Sequence, residues 1–97
     1  MYRNKRLLEA VREIPVCSGC GRANDGTVVA AHSNLLRHGK GRGLKCHDCF
    51  VAGLCYACHS NLDQGLDMSR EERQDFWQQA HDTTLLWLFM SGKLQIK

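Results

Sequence analysis

The apolar positions of this chain fall into a few short, well-punctuated runs. Leu7, Leu8, Val11 and Ile14 recur at helical spacing, which predicts a helix over residues 4–13 that Pro15 stops. Thr27-Val-Val-Ala-Ala-His32 is β-prone, and the glycine- and cation-rich residues 33–44 read as a loop. A second apolar run over 49–54 is a candidate partner strand. A short helix is expected from near Cys58 to about Asp63, with Gly65 ending it. Ser69-Arg-Glu-Glu72 has the form of a capping box and opens a longer helix to about Ser91. Phe76, Trp77, Ala80, Thr84, Trp87 and Leu88 form its apolar stripe, and Gly92 suits its C-terminal end. The stripe reads as core or as a subunit contact, so the late helix is a candidate homodimer surface. The sum is an α+β pattern with helices at both ends.

Length and composition narrow the class. With 97 residues there is room for one domain, spanning 1–97. It divides into an N-terminal helix (1–14), a central segment (15–66) and a C-terminal helix (69–92). So short a chain buries a small fraction of its surface, and only 7% of its residues are aromatic. No stretch approaches the ~20 apolar residues of a membrane span. The start, MYRNKRLLEA, has no continuous apolar region of a secretory signal, so a cytoplasmic location is expected.

In that setting six cysteines read as metal ligands rather than disulfides. All six lie in Cys-x-x-Cys units: Cys17/Cys20, Cys46/Cys49 and Cys55/Cys58. The spacing lets two thiolates reach one tetrahedral ion from a tight knuckle turn. Only five residues separate Cys49 from Cys55, which is cramped for two knuckles on one ion. Cys17, Cys20, Cys55 and Cys58 are therefore the expected structural zinc site, and zinc would compensate for the thin core because its binding free energy is folding free energy. Cys46 and Cys49 are left as a redox dithiol, a pair of buried thiols or ligands of a second zinc.

Charge is uneven. Residues 1–45 carry nine Lys/Arg and three Asp/Glu, a balance of +6, whereas residues 46–97 carry four and seven, a balance of −3. Lys40, Arg42 and Lys45 lie in the run HGKGRGLK and Arg37 just precedes it, where flexible backbone with several cations suits phosphate contacts and marks these four as candidate nucleic-acid-binding residues.

His32 and Asp48 stand between the knuckles, and His59 immediately follows Cys58. His59 and Asp48 offer nitrogen and oxygen ligands for a divalent cation such as Mg²⁺, Mn²⁺ or Ni²⁺. His32 suits proton abstraction from an attacking water. His47 is an alternative ligand to Asp48, Asp63 a candidate orienting partner for a histidine, and His38 and His81 read as a surface and a helix residue. The order of knuckle, "AAHSN", "HGKGRGLK", Asp48, "LCYACH" and "LDQG" resembles the YbcO-like prophage nuclease family, within the HNH (ββα-metal, His-Me finger) endonucleases. The resemblance runs from residue 17 to about 90. It implies a small zinc-stabilised ββα-metal domain with flanking helices and a phage or prophage origin. It also implies a DNA-directed nuclease leaving 5′-phosphate and 3′-hydroxyl ends. It carries His32 over as general base, Asp48 to the middle "N" position and His59 to the last "H". The chain departs from the pattern at Ala31, where many such enzymes have an acidic metal ligand, and at Asp48, which replaces Asn. The competing expectation is a non-catalytic zinc-binding module that holds nucleic acid or a protein partner. A thiol redox protein using Cys46 and Cys49 ranks last, because no alternating βαβ pattern accompanies the pair.

Overall fold

In a computed structural model, residues 1–65 and 67–96 are described. The expected boundary at residue 66 and the chain end at Lys97 lie outside them. The order is α1 (Lys5–Arg12), β1 (Val29–His32), a 3₁₀ turn (Leu36–His38), β2 (Val51–Leu54), α2 (Tyr56–Gln64) and α3 (Arg70–Met90). The fold is a small α+β arrangement of one two-stranded antiparallel sheet and three helices.

Local signals set most of these elements. The Asn4 side chain caps α1 by accepting from the Leu7 backbone N–H. Ser69 and Glu72 form the expected reciprocal capping box at α3. Helix α2 starts two residues ahead of expectation, because Cys55 occupies the N-cap and Cys58 falls in the first turn. The loop over 33–44 contains the 3₁₀ turn and a tight bridge between Gly41 and Leu44.

The strands pair with Val29 opposite Leu54 and His32 opposite Val51. Both β2 faces are buried. Helix α1 crosses so close to β2 that a Cβ on Gly53 would stand 3.1 Å from Ile14 Cγ2 and 3.4 Å from the Val11 carbonyl oxygen. Helix α3 covers the outer edge of β2, where its side chains replace a missing strand. His81 Nδ1 donates to the Val51 carbonyl (2.7 Å), and Thr84 Oγ1 accepts from Gly53 N–H (2.9 Å). Trp77 Nε1 donates to the Ala31 carbonyl at 2.9 Å. Thr84 also meets Ser18 Oγ at 2.7 Å, joining the first knuckle to the same point. Trp77, Ala80, Thr84 and Leu88 of the expected stripe are buried, while Leu85, Leu86, Phe89 and Met90 stay exposed on the outer side of α3. Among the described residues no helix is long and apolar enough to cross a membrane.

Candidate metal centre and the adjoining histidine cavity

The first knuckle is a turn closed by the bonds Cys17 N–H to Arg22 O (2.8 Å) and Gly21 N–H to Cys17 O (2.9 Å), with Gly21 at φ +76°. The second knuckle is the start of α2, where N-cap and first-turn positions three apart put Cys55 and Cys58 on one side of the helix. The four Sγ atoms lie within 4.8 Å of one another. Cys20 Sγ stands 3.8 Å from Cys55 Sγ. A tetrahedral zinc with sulfur ligands at 2.3 Å requires sulfur–sulfur edges of about 3.8 Å, so the donor set fits zinc.

Electrostatics agree. Cys17 Sγ accepts from the backbone N–H groups of Gly19 (3.3 Å), Cys20 (3.5 Å) and Cys55 (3.3 Å). Burial alone raises the Cys17 pKa, but these donors outweigh it and lower the value to about 7. Cys58 goes the other way. Burial, followed by the thiols of Cys17, Cys20 and Cys55, pushes its pKa far up, because a second negative charge has nothing to balance it. A divalent cation held by the four sulfurs would supply that balance. Three of the four cysteines belong to the main core cluster with Ile14, Leu54 and Trp77, so the site is part of the packing that holds the sheet to α3.

Cys46 and Cys49 do not join this cluster. Cys46 is fully buried, with Sγ against the carbonyls of His47 (3.4 Å) and Phe50 (3.5 Å), and burial raises its pKa. It packs as a small apolar residue. Cys49 is exposed.

His32, at the end of β1, and His59, in α2, line one cavity of about 230 Å³ together with Asn34, Asp63, Arg70 and Arg73. His59 Nε2 lies 3.4 Å from Asp63 Oδ2 one helical turn on. Asp48, the expected partner of His59, does not line the cavity. Asp48 is buried and turned to His32 instead: Oδ1 is 2.9 Å from His32 Nε2 and 3.3 Å from Arg3 Nη1, and Oδ2 accepts from Asn4 N–H at 2.7 Å. Burial alone raises the Asp48 pKa. The hydrogen bonds from His32 and Asn4, and the charges of His32 and Arg3, outweigh it and hold the carboxyl below its usual range. An ionised carboxylate only accepts, so His32 carries its proton on Nε2, and in the neutral ring Nδ1 is the free base.

The loop that carries Asp48 is tied down by the chain start. Arg3 also donates to the carbonyls of Cys46 (2.5 Å) and Lys45 (2.9 Å), and Tyr2 N–H donates to His47 Nδ1 at 3.0 Å. His47 is therefore an anchor for the N-terminus. His38 is half-buried rather than on the surface. It stacks on Phe50 (4.1 Å, 9° between rings) and bonds Ser33 Oγ at 2.6 Å. Burial, then the Arg37 charge and His81, lowers its pKa. Arg37, Arg42 and Lys45 are exposed on the β1–β2 loop, with Lys40 half-buried, and none of the four lines the cavity.

Comparison with protein-family models, curated proteins and solved structures returns no match. The chemistry of the site therefore rests on its own geometry. Reading the sequence missed Arg3, whose contact with Asp48 spans 45 residues, and it missed Arg70 and Arg73, which a helix start hides among surface charges. Asn4, which caps α1 and donates its backbone N–H to Asp48, was missed as well.

Proposed function

We propose that the chain is a metal-dependent endonuclease of the HNH (ββα-metal, His-Me finger) type that hydrolyses phosphodiester bonds in DNA. The supporting observation is that one cavity holds both a tautomer-fixed histidine, His32 with Asp48 behind it, and the nitrogen–oxygen pair His59 and Asp63.

His32 Nδ1 takes the proton of the attacking water. Asp48 keeps the ring in that tautomer and balances the charge of the imidazolium that forms, so it is a positioning residue rather than a cation ligand. His59 and Asp63 are the groups that hold a divalent cation. Such an ion, when bound, polarises the scissile phosphate and stabilises the leaving oxygen. Exposed Arg37, Arg42 and Lys45, on the loop between the strands, contact backbone phosphates, which position the nucleic acid without reading its sequence. The four-cysteine site is a scaffold that fixes β2 and α2, and through them His59.

The test is nicking of supercoiled plasmid by zinc-loaded protein with Mg²⁺, Mn²⁺ or Ni²⁺, against His32→Ala. Wild type should nick, and the variant should be slower by roughly 10²-fold or more. Equal nicking by both removes His32 as the base. Absence of nicking by either leaves a non-catalytic zinc module that binds nucleic acid or a protein.

A further inference from the structure

The cavity has a cationic component that the nuclease reading does not use. Arg70 and Arg73 line it from the first turns of α3, next to His32, His59 and Asp63. Two arginines against one aspartate give the titratable lining a formal charge of +1 with both histidines neutral. Arg73 is the more telling of the two. Nε and Nη2 form one edge of a guanidinium, the fork that matches two oxygens of a carboxylate or phosphate. Here the fork is half used: Nη2 donates to the Gly65 carbonyl, while Nε is buried with no partner among the described residues. A buried donor left unmatched costs free energy, and such groups call for an explanation. A single carbonyl cannot satisfy the edge, but a two-oxygen anion can. Arg70, at the first position of α3, is exposed and makes no hydrogen bond among the described residues, so its charge is also available.

The size of the space points the same way. At ~30 Å³ per water, the cavity of about 230 Å³ holds a handful of waters. That is below the usual range for a drug-sized ligand and suited to a phosphate with its flanking sugar. Trp77 and Leu62 supply the apolar wall against which a sugar can rest.

We infer that Arg73 and Arg70 form a phosphate clamp inside the cavity, which binds the phosphodiester of a nucleic-acid strand beside His32. The inference rests on the nuclease reading for its substrate, but its binding step does not require cleavage. On binding, Arg73 releases Gly65 and turns its fork to two non-bridging phosphate oxygens, and Arg70 adds a second charge. The exposed loop cations contact flanking phosphates, whereas this pair holds the one that lies over His32.

The experiment is an NMR titration of zinc-loaded, full-length protein with the dinucleotide TpT, without added Mg²⁺ or Mn²⁺, reading the Arg73 Nε–Hε resonance. The resonance should move downfield as Nε gains an acceptor. Arg73→Gln and Arg70→Gln should each weaken TpT binding about tenfold or more, as expected for loss of a charge-assisted hydrogen bond. Arg73→Lys, which keeps the charge but not the fork, should recover part of the loss, and Arg6→Gln on α1 should change nothing. Zinc content and far-UV CD show that each variant is folded, and the exposed Arg70 carries the test if Arg73→Gln is not. An unmoved Nε–Hε resonance overturns the clamp, as does TpT binding that is insensitive to both arginines. Inorganic phosphate binding more tightly than TpT assigns the site to a free phosphate and overturns the nucleic-acid assignment. The two readings separate in the plasmid assay. Arginine-dependent TpT binding without nicking by wild type retains the clamp and refutes the nuclease. Nicking with KM unchanged in both arginine variants retains the nuclease and refutes the clamp.

Discussion

Replacing Asp48 by Asn tests the connection on which His32 depends. The carboxylate is 3% exposed and takes three hydrogen bonds, from His32 Nε2 (2.9 Å), Asn4 N–H (2.7 Å) and Arg3 Nη1 (3.3 Å). An amide has one acceptor oxygen, so it can keep the Asn4 bond only by turning its NH₂ toward Arg3 and His32. Bonds to charged groups are worth about 1.5–3 kcal/mol and roughly halve when the charge is removed. The Arg3 contribution is discounted, because that side chain is 41% exposed and screened by solvent. The net expectation is a loss of about 2 kcal/mol, or about 10 °C in Tm for a domain of this size. The assay is urea unfolding of zinc-saturated protein at about pH 7.5 and about pH 5.5. The pH dependence has a definite sign. The folded pKa of Asp48 is depressed, so its stabilisation is fully present above the ordinary carboxylate value near 4 and is lost only as pH falls through the lower, folded value. The gap between wild type and Asp48→Asn should therefore not shrink between the two pH values. A variant within about 0.5 kcal/mol of wild type, or a gap that closes by pH 5.5, would refute this account of the site.

Elemental analysis should find about one zinc per chain, unchanged in the Cys46→Ser/Cys49→Ser double variant and lost in Cys17→Ser. Strong chelation should collapse the far-UV CD spectrum, because zinc binding and folding are one equilibrium, and an intact spectrum would remove the scaffold role. Thr84→Val should cost about 2–3 kcal/mol in urea unfolding, because it strands the Gly53 N–H and the Ser18 hydroxyl that Thr84 Oγ1 serves. Thr84→Ser, which keeps the oxygen, should cost about 1 kcal/mol, and equal costs would show that the hydroxyl is not what matters. Gly53→Ala should destabilise by about 1–3 kcal/mol, since the added methyl meets Ile14 and the Val11 carbonyl.

The elements and the four-cysteine set were legible because their causes are local. The Ser69-Glu72 box, Pro15 as a stop and the three-residue spacing of the knuckles act over one turn of chain. The start of α2 was misplaced by two residues, since Cys55 serves at once as N-cap and as a knuckle residue, and the two roles look alike in sequence. The role of Asp48 was not legible. A carboxylate beside two histidines reads as a ligand, and only burial under Arg3 and Asn4 turns it toward His32. Cys46 and Cys49 share the spacing of the other pairs, but Cys46 points into the core and Cys49 into solvent.

Sequence alone thus determined the helices, the strands and which four cysteines come together as a candidate metal site, because propensity, capping and ligand spacing are properties of neighbouring residues. Tertiary structure decided which histidine has a carboxylate behind it, which carboxylate stands with His59, and which arginines face the cavity. Those choices depend on contacts between residues up to 45 positions apart, and the packing of α1, α3 and the chain start around one short sheet makes them.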